Sequence, residues 1–163
     1  MNTCILTARL DEVSQNFFNE MREQHFPKEI NLLKAHLTLF HKLPDTFANR
    51  QILQSVQENT ISGTVTSLKN IGNGVAYFFD IPKLNKLHIY LQKAFNSQLI
   101  LQDKQSIRPH VTIQNKVTPE EARKLLEHLT ISFKPFQVSI EGLDLWHYLN
   151  GPWQHYQYFP FKD

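Results

Sequence analysis

The order of predicted elements repeats along the chain, and this repeat limits the possible folds more than any other feature. Apolar periodicity predicts a strand, a helix, a strand, a helix and a strand, and then the same five elements again. Thr3 and Gly74 begin the two sets, 71 residues apart, and the proline after each central strand is Pro44 or Pro119, 75 residues apart. A near-constant offset indicates an internal duplication. We therefore expect a bilobal α+β fold, in which two duplicated β-α-β-α-β units are related by a pseudo-twofold axis and share a central cleft.

The individual elements are predicted from periodicity, caps and chain breakers. The clearest helix start is Thr118, a good N-cap, because Pro119 suits the first helical position and Glu121 can complete a capping box. Strands are predicted at 3–10, 34–41, 61–68, 75–79, 108–116, 136–146 and 155–161, and helices at 11–25, at 45–59, from Pro82 and from Thr118. The apolar faces of these helices are predicted to be Val13, Phe17 and Met21; Ala48, Ile52 and Val56; Leu84, Leu87, Leu91 and Phe95; and Ala122, Leu125, Leu126 and Leu129.

Length and composition exclude several classes of protein. A chain of 163 residues has the size of one domain, which we place at 1–163, with lobe one at about 1–71 and lobe two at about 74–163. The excess of 17 basic over 15 acidic residues is too small for a strongly cationic nucleic-acid coat, although it allows a local basic cleft. The single Cys4 excludes a disulfide scaffold and a Cys-rich zinc site, and we expect it in the core. The sequence shows no secretory signal and no apolar stretch of ~18 residues, so we expect a cytoplasmic protein. We also expect a monomer.

The two central strands carry the same chemical groups at matching positions. Each presents a basic residue, then His, then Thr and then Lys at alternate positions, which a strand directs to one face. Aliphatic residues at the intervening positions are expected to point into the core: Leu37, Leu39, Val111 and Ile113. The shared groups are Lys34, His36, Thr38 and Lys42 in the first strand, and Arg108, His110, Thr112 and Lys116 in the second. If the lobes face each other, two imidazoles and two hydroxyls converge on one cleft.

This set of groups suits phosphodiester chemistry without a metal. Opening a phosphodiester at neutral pH needs one group to accept a proton from the attacking oxygen and another to protonate the leaving oxygen. Histidine can do either, since its ordinary pKa is about 6.5, and each role is typically worth ~10²–10⁴ in rate. Thr38, Thr112 and the flanking cations can donate to the oxygens on which charge accumulates.

The sequences His36-Leu37-Thr38-Leu39 and His110-Val111-Thr112-Ile113 resemble the paired His-x-Thr-x motifs of the 2H phosphoesterase superfamily, in its 2′-5′ RNA ligase and cyclic phosphodiesterase branch. Leu43-Pro44, Arg108-Pro109 and the segments 142–146 and 151–153 resemble the family's surrounding sequence, so the resemblance spans essentially the whole chain. It implies that both His and both Thr are catalytic, with His36 as the acid and His110 as the base. Members typically open 2′,3′-cyclic phosphates to 2′-phosphates, and some join or split 2′-5′ RNA linkages.

The resemblance does not distinguish RNA ends from small nucleotides as the substrate, and it implies no cofactor. We expect Lys34 and Arg108 to bind substrate beside the two motifs. Base stacking on an aromatic ring is expected from Tyr156 or Phe40 first, with Tyr148, Trp153 and Tyr158 as further candidates.

Two alternatives stay open. The chain could be a binding module of the same fold that holds a phosphorylated RNA end or nucleotide without cleaving it. It could also hold a metal on His36, His41 and His110, but alternation puts His41 on the other face and neither motif contains an acid, so we expect no metal. We expect the remaining histidines to be structural or exposed.

Overall fold

A computed structural model describes residues 2–163 and shows a seven-stranded antiparallel sheet with four α-helices. Met1, the first residue of predicted lobe one, lies outside the described residues. None of the helices within 2–163 has the length and apolar character needed to cross a membrane. The elements are β1 (Thr3–Leu10), α1 (Glu12–His25), β2 (Leu37–Pro44), α2 (Phe47–Gln54), β3 (Ile61–Asn70), β4 (Val75–Asp80), α3 (Pro82–Phe95), β5 (His110–Gln114), α4 (Pro119–Thr130), β6 (Phe136–Tyr148) and β7 (Gln154–Pro160).

All predicted strands and helices are confirmed; β1 has the predicted ends, and most of the others differ by a few residues. The largest difference is in α2, which ends at Gln54 and not near 59, and the two central strands begin later than predicted, β2 at Leu37 and β5 at His110. Just before these strands, the carbonyls of Lys34 and Arg108 accept hydrogen bonds from the imidazoles of their own segments. The capping box at Thr118 is present as predicted.

The strand order reflects the predicted duplication. The path through the sheet is β2-β1-β6-β3-β4-β5, with β7 paired to β6 beyond it. If β1, β2 and β3 are equated with β4, β5 and β6, this order reads the same in both directions, as a pseudo-twofold repeat requires. The first five elements and the second five are therefore equivalent units, joined through the pairing of β3 with β6.

Strand pairing crosses the predicted boundary between 1–71 and 74–163. The tight turn at Gly72, where Ile71 N–H donates to Gly74 O at 3.0 Å, makes β3 pair with β4. The thirteen-residue β6 pairs with β3 through 136–140 and with β1 through 140–148. Each unit has thus exchanged its third strand with the other.

The buried faces of the first two helices are rotated by one residue from the prediction. Val13 is 80% exposed and Ala48 is exposed, whereas the buried positions include Phe18 and Arg22 on α1 and Asn49 on α2. Both side chains make hydrogen bonds in the interior: Arg22 donates to main-chain carbonyls, and Asn49 Nδ2 donates to Pro44 O at 2.9 Å, while Asn49 Oδ1 has no partner among residues 2–163. The predicted face of α3 is confirmed: Leu84, Leu87, Leu91 and Phe95 are all buried.

Candidate active site

The two His-x-Thr motifs come from strands at opposite ends of the strand order that nevertheless contact each other. The aliphatic residues between the motif positions are buried as predicted: Leu37, Leu39, Val111 and Ile113. Arg22 of α1 ties the two segments together, because its Nε donates to Leu33 O at 3.0 Å and its Nη1 donates to Thr112 O at 3.1 Å. His36 and Thr112 line one cavity.

Both motif histidines are held in the same way. His36 Nδ1 lies 2.8 Å from Lys34 O, and His110 Nδ1 lies 2.8 Å from Arg108 O. A carbonyl oxygen can only accept, so Nδ1–H is the donor in each ring. That bond fixes the tautomer and leaves each Nε2 free to exchange a proton with a ligand.

An aromatic ring packs against each imidazole. The ring of Trp153, in the turn before β7, is 4.6 Å from the ring of His36. Phe78 of β4, the cross-strand partner of His110, stacks on that ring at 5.1 Å with an angle of 21°. These contacts restrict the rotation of both imidazoles.

The two histidines differ in their surroundings. Burial lowers the pKa of His36 to about 4; the hydrogen bond to the Lys34 carbonyl opposes this effect, and the charges of Arg22 and His110 add to it. His110 is exposed at the start of β5. His36 is therefore unprotonated at neutral pH in the free protein.

Thr38 and Thr112 are both half-buried, two residues after their histidines. The side chains of Lys34 and Arg108 are exposed. Lys34 lines a cavity together with His36. The guanidinium carbon of Arg108 lies 5.8 Å from the centre of the Phe78 ring.

The prediction that Phe40 stacks a nucleobase is wrong. Phe40 is fully buried, with its ring 4.5 Å from that of His88 and 5.4 Å from that of Phe95. The cause is irregular pairing of β1 with β2, in which the register shifts on both sides of Phe40 and strict alternation is lost. The buried carboxylate of Asp103 accepts from the N–H groups of His41 and Lys42, both at 2.9 Å, which stabilises this irregular segment.

Tyr156 is exposed, but it stands apart from the motifs. Its ring stacks on His147 at 4.2 Å, and it lines neither cavity that His36 lines. His147 Nε2 in turn lies 3.0 Å from Asp45 Oδ2. The expectation of base stacking on Tyr156 therefore finds no support in the geometry.

Two cavities have His36 in their lining. The larger, about 610 Å³, is lined by Trp146, Trp153 and the buried Asp144 among others. Asp144 accepts a bidentate pair of bonds from Arg9, at 2.9 and 2.7 Å, and a third bond from His155. The smaller cavity is about 300 Å³.

A metal on His36, His41 and His110 has no support among residues 2–163. The one triad there whose ligand atoms lie within 4.8 Å of one another is Cys4, Asp45 and His147. The Asp45 carboxylate already pairs with Arg50 and His147, so its charge is met by the protein itself. Burial and the charge of Asp45 raise the pKa of Cys4 to about 11, so its thiol is protonated in the core position predicted for it.

Sequence reasoning missed Arg22, Phe78 and Trp146 at this site. Arg22 follows Phe18 by four residues, which places both on one helical face, but a charged residue gives no signal of burial. Phe78 could have been found from the pairing of β4 with β5. Trp146 donates its indole N–H to Thr7 Oγ1 at 2.9 Å, a contact that depends on the β1–β6 register.

Comparison with known proteins agrees with this arrangement. TT0787 of Thermus thermophilus superposes with a TM-score of 0.66 at 13% identity over 97% of both chains. E. coli LigT complexed with 3′-AMP gives 0.62 at 13% identity, and a crystal structure described as a phosphoesterase gives 0.64 at 13% identity, each over 99% of both chains. At such identities these structures establish the fold. A search of curated proteins found no match.

A family model described as the 2′-5′ RNA ligase superfamily matches residues 10–152. This match confirms the resemblance inferred from the paired motifs. The chain therefore belongs to the 2′-5′ RNA ligase superfamily.

Proposed function

We propose that this protein is a metal-independent phosphodiesterase that opens 2′,3′-cyclic phosphate or 2′-5′ linkages in RNA ends or nucleotides. The observation that carries the proposal is the matched pair of imidazoles, each bonded through Nδ1 to the carbonyl two residues earlier at 2.8 Å. A site that only bound phosphate would need cations, whereas two oriented Nε2 atoms provide an acceptor and a donor of protons.

The proposed reaction opens a cyclic phosphate with one water molecule. The base takes a proton as the water oxygen bonds to phosphorus, and the acid protonates the 3′ oxygen as its bond to phosphorus breaks, which leaves a 2′-phosphate. Because burial lowers the pKa of His36, the free protein favours His36 as the base. His110 then takes the role of the acid, the reverse of the roles that the family resemblance implies.

The other motif residues have supporting roles in this proposal. The hydroxyls of Thr38 and Thr112 donate to the non-bridging oxygens, where negative charge increases in the transition state. Lys34 and Arg108 contribute positive charge at the edges of the site, and their carbonyls orient the two imidazoles.

The larger cavity is the proposed place for the nucleoside. Its volume of about 610 Å³ lies within the range of roughly 300–1,000 Å³ typical of small-molecule sites. Its indole rings, Trp146 and Trp153, offer apolar faces to a base beside His36. The solved structures of E. coli LigT with 3′-AMP and with ATP support a nucleotide as ligand.

The test is hydrolysis of a set of 2′,3′-cyclic nucleotides by purified protein in EDTA. We expect 2′-phosphates as products, and a loss of ~10²–10⁴ in kcat for His36→Ala and for His110→Ala. His128→Ala, which replaces an exposed histidine of α4, is the matched control and should keep full activity.

Two outcomes would contradict the proposal. Turnover that is unchanged when both motif histidines are replaced would show that these imidazoles are not the catalysts. Binding of the nucleotides with no product at any pH would instead support the alternative of a non-catalytic binding module.

A further inference from the structure

The smaller cavity beside His36 differs in charge from the larger one. Its side chains include the cations Arg22 and Lys116 together with His36 and Thr112, and none of its lining residues is acidic. The lining of the larger cavity has the acids Glu12, Glu141 and Asp144 beside the cations Arg9 and Lys34. The smaller cavity is therefore the one suited to an anion.

Arg22 is the main reason to expect an anion there. It is only 6% exposed, and within residues 2–163 it pairs with no carboxylate. Its Nε donates to Asn31 Oδ1 and Leu33 O, its Nη1 donates to Thr112 O, and its guanidinium carbon lies 3.9 Å from the centre of the Phe26 ring. All of these partners are neutral, so the positive charge is held rigidly but is not balanced by the protein.

The hydrogen bonds of Arg22 fix the orientation of its guanidinium, including the N–H groups that they do not use. The bonds above use Nε and one hydrogen of Nη1. Nη2 has no hydrogen-bond partner among residues 2–163, and it is not fully buried. Arg22 lines the cavity, and Nη2 is the nitrogen of its guanidinium that no acceptor in the described part of the chain occupies. A guanidinium with free N–H groups at a cavity wall is well suited to the oxygens of a phosphate.

We infer that the smaller cavity binds a second phosphate group of the substrate, through Arg22 and Lys116, while the first phosphate reacts between His36 and His110. The inference rests on the proposed function and narrows its substrate class. The favoured substrates carry another phosphate besides the reacting one, either an internucleotide phosphodiester or a 5′-phosphate.

The cavity volume fits this assignment. At about 300 Å³ it lies at the lower limit of typical ligand cavities, which suits a phosphate and its linkage better than a whole nucleoside. His36 lines both cavities, so a nucleotide in the larger one and a phosphate in the smaller one meet at the catalytic ring.

The test compares kcat/KM for three substrates. They are a nucleoside 2′,3′-cyclic phosphate, the same compound with a 5′-phosphate, and a dinucleotide ending in the same 2′,3′-cyclic phosphate. We expect at least one of the last two to exceed the first by about 10- to 100-fold, the range for a hydrogen-bonded charged pair. Whichever of them gains identifies the source of the second phosphate.

Variants then connect this preference to the cavity. Arg22→Gln should bring the ratio of kcat/KM values close to one, and Lys116→Gln, at an exposed position, should lower it by about threefold. Lys93→Gln replaces an exposed lysine on α3 and should leave the ratio unchanged. Taking the ratio within each variant separates phosphate binding from any effect on the catalytic groups.

The outcomes are distinct. Equal kcat/KM for all three substrates, or a preference that survives both cavity substitutions, overturns the second-phosphate site and leaves the proposed function intact. No hydrolysis of any substrate overturns both. If Arg22→Gln does not fold, the wild-type preference and the Lys116→Gln ratio still decide the question.

Discussion

Replacing His36 with glutamine is expected to weaken the acid sensitivity of the fold. The ordinary pKa of histidine is 6.5, and burial lowers that of His36 to about 4. Between these values the unfolded chain binds a proton that the folded protein does not, so the free energy of unfolding falls as the pH falls. Each pH unit is worth about 1.4 kcal/mol, so this ring accounts for a loss of about 3 kcal/mol between pH 7 and pH 4.

The assay is urea unfolding of both proteins at several values from pH 7 to about pH 4.5. Other groups with lowered pKa values, including His25 and His88, are present in both proteins, so the difference between the two curves isolates His36. Near pH 5, we expect the slopes of the two curves of unfolding free energy against pH to differ by the equivalent of nearly one bound proton. Parallel curves for the two proteins would refute the reasoning, because they would mean that the folded ring is protonated as easily as the unfolded one.

Three further substitutions test the packing around the site. Phe40→Ala should lower the free energy of unfolding by ~3–5 kcal/mol and leave kcat/KM unchanged, because the ring is in the core. A loss of kcat/KM with little loss of stability would indicate that Phe40 contacts the substrate. Asp144→Asn should cost about 2 kcal/mol in urea unfolding, since Arg9 and His155 both donate to that buried carboxylate, and an unaltered midpoint would contradict this. Thr118→Ala should cost about 1 kcal/mol through loss of the capping box, while Thr118→Ser should retain most of the stability; equal losses in the two variants would show that the hydroxyl is not the cap.

Much of the fold could be predicted because its signals are local. The capping box at Thr118 and the leucine face of α3 are both set by residues within one helix. The exchange of β3 and β6 between the repeated units could not be predicted, since pairing partners depend on long-range packing. The rotated faces of α1 and α2 were missed because hydropathy cannot show that Arg22 and Asn49 donate hydrogen bonds to main-chain carbonyls inside the protein.

In the candidate site, too, some features could be predicted from the sequence and others could not. The equivalence of His36 and His110 could be predicted from the repeat, and their hydrogen bonds to Lys34 O and Arg108 O agree with it. The sequence predicted a role for the charged side chains of Lys34 and Arg108. In the structure, it is the main-chain carbonyls of these residues that accept hydrogen bonds from the two motif histidines. The prediction for Phe40 failed because alternation does not hold through an irregular strand.

The central claim is that His36 and His110 act on one phosphorus atom. The most direct measurement is an NMR titration of the wild-type protein with a nucleoside 2′-phosphate, the product of the proposed reaction, following the imidazole Cε1–H signals of both histidines. We expect both signals to shift with the same dissociation constant, and His36 to titrate at a higher pH in the complex because the bound anion stabilises its protonated form. A shift of only one ring, or two shifts with different dissociation constants, would contradict the claim.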